Sequence, residues 1–177
     1  MTIIDILQYP DPRLKRKGIK VTDFGAALQK LVDDMFATHY AAENCAALAA
    51  TQLDIDPAPH VTVIDFSPGR DEPLCIVNGE IVACEGQQYE EEGCMSVGYD
   101  KQINLHTRVK RALKITAKGQ DRYGQPLRLT AEGFLAKCIQ HELDHLDGKL
   151  YLDRISVLKR NMVEKKLAKA RKPLPNP

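Results

Sequence analysis

No run in the 177-residue chain approaches the about 18 apolar residues that a membrane-crossing helix needs, so no span is expected. An export signal is missing too. Met1-Thr-Ile-Ile is followed at once by Asp5, without the basic start and long apolar core of a signal peptide. A cytoplasmic protein is the expectation. Five cysteines (Cys45, Cys75, Cys84, Cys94, Cys138) are odd in number and irregularly spaced, which excludes a simple disulfide framework and predicts reduced thiols. Internal repeats, low-complexity tracts and an interdomain linker are all absent.

A net excess of charge is lacking as well: 25 Lys+Arg face 24 Asp+Glu. The total argues against a dedicated nucleic-acid binder, but it hides a segregation. Residues 157–172 hold seven basic side chains (Lys159, Arg160, Lys165, Lys166, Lys169, Arg171, Lys172) and only one acid, Glu164. A mildly acidic body therefore carries a strongly basic tail. With 44% hydrophobic and 28% charged residues, the composition is that of an ordinary globular chain of one domain.

Apolar spacing predicts an amphipathic helix over 25–42, with Leu28, Leu31, Val32, Met35, Phe36 and Tyr40 on one side. The small-residue stretch 44–52 predicts a close-packed segment. Residues 61–66 predict a buried strand, and 74–77 and 80–84 two strands around a turn at Asn78-Gly79. Alternation at Leu113, Ile115 and Ala117 predicts a half-exposed strand that Tyr123-Gly124 returns into 127–130. A helix follows from about 131 to 147, with Thr130 as cap and Gly148 as stop. A basic helix from about 157 to 171 ends before Pro173 and Pro175. The expected fold is α+β: mainly antiparallel sheets around a central helix, with a C-terminal helix. Residues 1–156 would form a single catalytic domain, and 157–177 a basic helix and proline-rich tail on the same body.

The central helix carries His141-Glu142-Leu143-Asp144-His145, an HExxH motif. Positions i and i+4 share a helix face, so both imidazoles can reach one metal ion. Glu142 beside them can take a proton from a water activated there. A third ligand remains to be found. Tyr151 stands where the longer metzincin pattern has histidine. Glu164 lies 19 residues beyond His145, a zincin-like spacing. Cys94, in Glu92-Gly93-Cys94-Met95-Ser96, offers a thiolate suited to a soft or borderline metal.

Glu92-Gly-Cys-Met-Ser96 and Gln140-His-Glu-Leu-Asp-His145 together resemble two signature motifs of the peptide deformylases, and Leu48-Ala-Ala-Thr-Gln52 matches part of a third. The likeness also covers Tyr9-Pro-Asp-Pro-Arg-Leu14 and Gly148-Lys-Leu150, so it spans nearly the whole chain in the family's order. Membership implies hydrolysis of the formyl group from the formyl-methionine of nascent polypeptides, releasing formate. It implies Cys94, His141 and His145 as ligands of one divalent metal, Fe(II) naturally, with zinc, nickel or cobalt as substitutes. Glu142 becomes general base and acid, with the Gln52 amide and the Met95 backbone N–H stabilising the oxyanion. Ala46, Ala47, Glu92, Gly93, Phe134, Lys137 and Cys138 are expected to line the substrate site. A monomer is expected, with the basic helix docking on the ribosome. A zincin-type peptidase using Glu164, or a divergent homologue with altered substrate or no activity, are the alternatives.

Several residues depart from the family or lie outside its motifs. Cys45 and Ala47 stand where glycines are usual, and a Cβ there can narrow the cleft. Lys137 replaces an apolar side chain of the methionine pocket; it either snorkels out or carries charge inward. Cys45 is a candidate oxidation-sensitive thiol near Cys94. Cys75, Cys84 and Cys138 are expected in the core, and His39, His60 and His106 at the surface or as helpers.

Overall fold

The computed structural model describes residues 1–98, 103 and 105–171. Its first helix, α1, is Ala26–Ala41. Three short strands and turns then build the core: β1 (Ala47–Ala49), a 3-10 turn at Ala50–Gln52, and β2 (Val61–Ile64). All four residues of β2 are buried, which explains its apolar, β-branched sequence. The long strand β3 (Leu74–Glu85) pairs first with β2 and then with β6 (Lys114–Gln120), which pairs with β7 (Pro126–Glu132). This five-stranded sheet is antiparallel throughout, in the order β1-β2-β3-β6-β7. A separate two-stranded sheet joins β4 (Gln88–Glu92) to β5 (Thr107–Arg111).

Three expectations need correction. Asn78-Gly79 is not a hairpin turn but a bulge inside one strand, with the register slipping between Val77 and Glu80. Asn78 takes φ +52 there, and its side-chain amide clasps both backbone groups of Val21. Cys84 is exposed, because only β6 covers the far half of β3. Thr130 caps nothing: it lies in β7 opposite Thr116.

The central helix, α2 (Gly133–Leu146), starts instead at Gly133 with φ +60, whose N–H donates to Leu113 O at 2.9 Å. Ala136, Ile139, Leu143 and Leu146 recur every three or four residues and pack on the sheet with Ile64, Ile76, Ile115 and Ala131. That fixes the rotation of the helix and turns Cys138, His141, Glu142 and His145 the other way. Gly148 ends it with φ +74; a side chain there would strike Lys15 O.

The last helix, α3 (Val157–Ala170), is capped by Ser156. Its Val163 and Leu167 are buried with Leu14, Val97, Leu105 and Tyr151 in a third apolar cluster. Lys172, Pro173 and Pro175 lie outside the described residues. No helix of the described residues is long and apolar enough to cross a membrane.

Candidate metal centre

The candidate site lies along one turn of α2. There Cys94 Sγ, His141 and His145 bring ligand atoms within 4.8 Å of one another. His145 Nε2 is 3.1 Å from His141 Nε2 and 3.2 Å from Cys94 Sγ. Ligands about 2.0–2.3 Å from one tetrahedral ion stand roughly 3.3–3.6 Å apart, so this spacing is that of a nearly closed ligand set. The other two candidate third ligands are engaged with other partners, although the Tyr151 ring stacks on His141 at 6.3 Å. Glu164 accepts from Tyr9 Oη at 2.6 Å and from Arg160 Nε at 3.0 Å. Tyr151 is buried and donates to Leu105 O at 2.8 Å.

Behind His141 stands a buried charge network that the sequence did not reveal. Glu92 Oε2 lies 2.9 Å from His141 Nδ1. A carboxylate only accepts, so Nδ1 carries a proton and Nε2 faces the cluster. Arg111, only 4% exposed, donates to both oxygens of Glu92 at 2.7 and 2.9 Å and to Asp144 at 2.5 Å. Arg154 closes the far side on Asp144. The Glu92 side chain therefore bridges His141 and Arg111. Burial alone would raise Glu92, but the bonds from Arg111 and His141 override it and pull the carboxyl down to about 2.

The surrounding field favours positive charge. Burial opposes protonation of His141, yet its bonds to Cys94 and Glu92 win and push it up to about 10. His145 is pushed well down, by burial and then by the charge on His141. A divalent cation between them would meet the same sulfur and carboxylate groups. Glu142 is buried with one carboxylate oxygen, Oε2, unpartnered within the described residues. Burial lifts its pKa to about 7, against the pull of His141. An orphaned acceptor beside three converging ligand atoms fits a bound metal and the water it would carry.

Gln52, 1% exposed, is held at both ends. Its Oε1 accepts from Ala49 N–H at 2.9 Å, so its Nε2 points to Ser96 Oγ at 3.2 Å and to Cys94 Sγ at 3.5 Å. Thr51 Oγ1 donates to His145 O, tying the same turn to α2. Met95 packs against the apolar cluster that holds Leu48, Leu53 and Val63, and its carbonyl accepts from Gln8. Gly93 follows from close packing: a Cβ there would strike the ring of His106. Ala47 is buried in β1 beside Ala46.

Cys138 is buried and Cys45 half-buried, and both thiols are pushed up, first by burial and then by the charge of Glu142, Cys138 to about 12. His39 is a correction: it is 1% exposed in α1, edge-on to Tyr40 at 5.0 Å. His60 is half-buried and His106 exposed.

An HExxH helix packed on an antiparallel sheet, with a cysteine opposing the two histidines, defines a class of HExxH metal-site frames with a sulfur ligand. Comparison with known proteins narrows the class. The polypeptide deformylase family profile matches residues 3–161. Peptide deformylase 1 of Coxiella burnetii is 58% identical over 167 residues, 94% of this chain and 96% of that protein. The crystal structure of a peptide deformylase from Legionella pneumophila superposes with a TM-score of 0.87 at 43% identity, covering 97% of this chain and all of that one. The Ehrlichia chaffeensis enzyme, solved in complex with actinonin, gives 0.86 at 30% identity over 98% of this chain and 100% of that one. The chain belongs to the polypeptide deformylase family, whose members are metal-dependent enzymes.

Proposed function

We propose that this protein removes the formyl group from the N-terminal formyl-methionine of nascent polypeptides, acting as a cytoplasmic monomer. The observation that carries the reading is the convergence of Cys94 Sγ, His141 Nε2 and His145 Nε2 beside the orphaned Glu142 carboxylate. Cys94, His141 and His145 are its metal ligands, and Fe(II) is the proposed natural ion, with zinc, nickel or cobalt as substitutes. When bound, the ion supplies a Lewis acid and a water acidified toward neutral pH.

The chain's own groups perform the remaining work. Glu142, with a pKa of about 7, can accept the proton of the attacking water and return it to the leaving amine nitrogen. The Gln52 Nε2–H, pre-aimed through the Ala49 anchor, donates to the carbonyl oxygen as negative charge grows there. The Met95 N–H is the second proposed donor. Glu92 and Arg111 hold the His141 ring in place. Ala46, Ala47, Gly93, Phe134, Lys137 and Cys138 form the proposed substrate surround.

Replacing Cys94 with Ala tests the ligand set. Metal content after dialysis should drop to background. Full retention would remove Cys94 from the site.

The basic helix is the proposed ribosome contact. Lys165, Lys166 and Lys169 are exposed on α3, while Arg160 is engaged with Glu164 and Asp153 and Lys159 with Tyr89. Contacts of free lysines to RNA phosphate weaken with salt.

A further inference from the structure

On α2, Lys137 and Cys138 each stand three or four residues from both Phe134 and His141, so the four share one side of the helix. The first two of these do not behave as core residues. Phe134 is 48% exposed and packs edge-on against Phe66, itself 46% exposed, at 4.8 Å. Lys137 lies over the Phe134 ring, its Nζ 5.0 Å from the centroid. The same ammonium donates to Glu91 O at 2.9 Å, one residue before the glutamate that holds His141. Among the described residues no carboxylate lies within ion-pair distance of it. Two half-exposed rings and an unpaired cation thus form a ledge on the face that carries His141. The lysine snorkels to the rim rather than turning toward the buried Cys138.

The ledge also lies at a definite distance from the reacting centre. Lys137 and Phe134 precede His141 by four and seven residues, about 6 and 10 Å along the helix axis. An extended peptide advances about 3.3 Å per residue. A peptide that ran from the metal ligands toward the start of α2 would bring its second and third residues level with the ledge.

We propose that Lys137, seated on Phe134 beside Phe66, is a specificity-determining residue that favours a carboxylate side chain on the second or third residue of the formyl-methionyl peptide. The aromatic pair supports the aliphatic part of that side chain, and the ammonium pairs with its charge. This inference rests on the deformylase reading and names the substrates that reading would favour.

The test compares kcat/KM of the metal-loaded full chain on formyl-Met-Ala-Ala, formyl-Met-Asp-Ala, formyl-Met-Ala-Asp and formyl-Met-Lys-Ala. An exposed ion pair of ordinary strength corresponds to a preference of about 1.5- to 5-fold. At least one aspartyl peptide should exceed the alanyl peptide by that factor, through KM rather than kcat, and the margin should shrink with added salt. Lys137→Glu should favour the lysyl peptide instead. Lys137→Met, which keeps the stem, should bring the Asp/Ala ratio to about one. A lysine that merely covers the pocket wall would change all four rates together and leave the ratios alone. If Lys137→Glu does not fold, the salt dependence and Lys137→Met carry the test. Equal rates on all four peptides in the unaltered protein would overturn the role of Lys137 while leaving deformylation intact. No formate from any peptide would overturn the deformylase reading itself, and this inference with it.

Discussion

Gln52 has a fixed orientation because its two ends differ in chemistry. Only its oxygen can accept from Ala49 N–H, so only its nitrogen can face Cys94 and Ser96. Replacing it with leucine keeps the bulk and removes the donor. Turnover should fall roughly 100- to 1000-fold with metal content unchanged, as for loss of one pre-aimed donor. Normal turnover in that variant would take Gln52 out of the mechanism. The HExxH pair was legible in the sequence, since the i, i+4 rule needs only a helix, whereas Gln52 stood out only through its match to a family motif. Arg111 was not legible. Nothing in Thr107-Arg-Val-Lys-Arg111 says that the last arginine is buried, while Arg108 and Lys110 stay exposed. Its burial follows from two acids, Glu92 and Asp144, that lie far from it in sequence. Their convergence is a property of the fold.

That arginine staples three elements, β4 through Glu92, α2 through Asp144 and its own β5. Burial would raise both acids, but Glu92 is held down by Arg111 and His141, and Asp144 by Arg154 and Arg111. A carboxyl depressed in the folded chain stabilises it fully above the unfolded value near 4 and ceases to do so as pH falls through the folded value. For Glu92 that window reaches down to about 2. The urea midpoint should therefore decline steadily between pH 4 and 2. A flat midpoint across that range would contradict the network. The two strands involved were missed in the sequence for a related reason: β4 reads Gln-Tyr-Glu-Glu-Glu, with no apolar alternation, because only Glu92 of its five residues is buried. Conversely, Asn78-Gly79 has turn chemistry, but here it serves a bulge within β3.

Over the whole molecule, charge and burial divide α3 into two faces. Val163 and Leu167 belong to the third core, so deleting the helix would damage the body along with any docking surface. Reversing charge at Lys165, Lys166 and Lys169, all exposed, avoids that. The triple glutamate variant should lose ribosome co-sedimentation at low salt while keeping its rate on short formyl peptides. Unchanged co-sedimentation would reduce the basic face to a solvated surface. The near-zero net charge of the chain gave no hint of this division, although the local run of lysines did. The central claim concerns the catalytic body, and one assay addresses it directly: formate release from formyl-Met-Ala-Ser by Fe(II)-loaded protein prepared without oxygen. Stoichiometric formate and free methionyl peptide, both abolished in Cys94→Ala, are the predicted result. Folded, metal-loaded protein that releases no formate would contradict it.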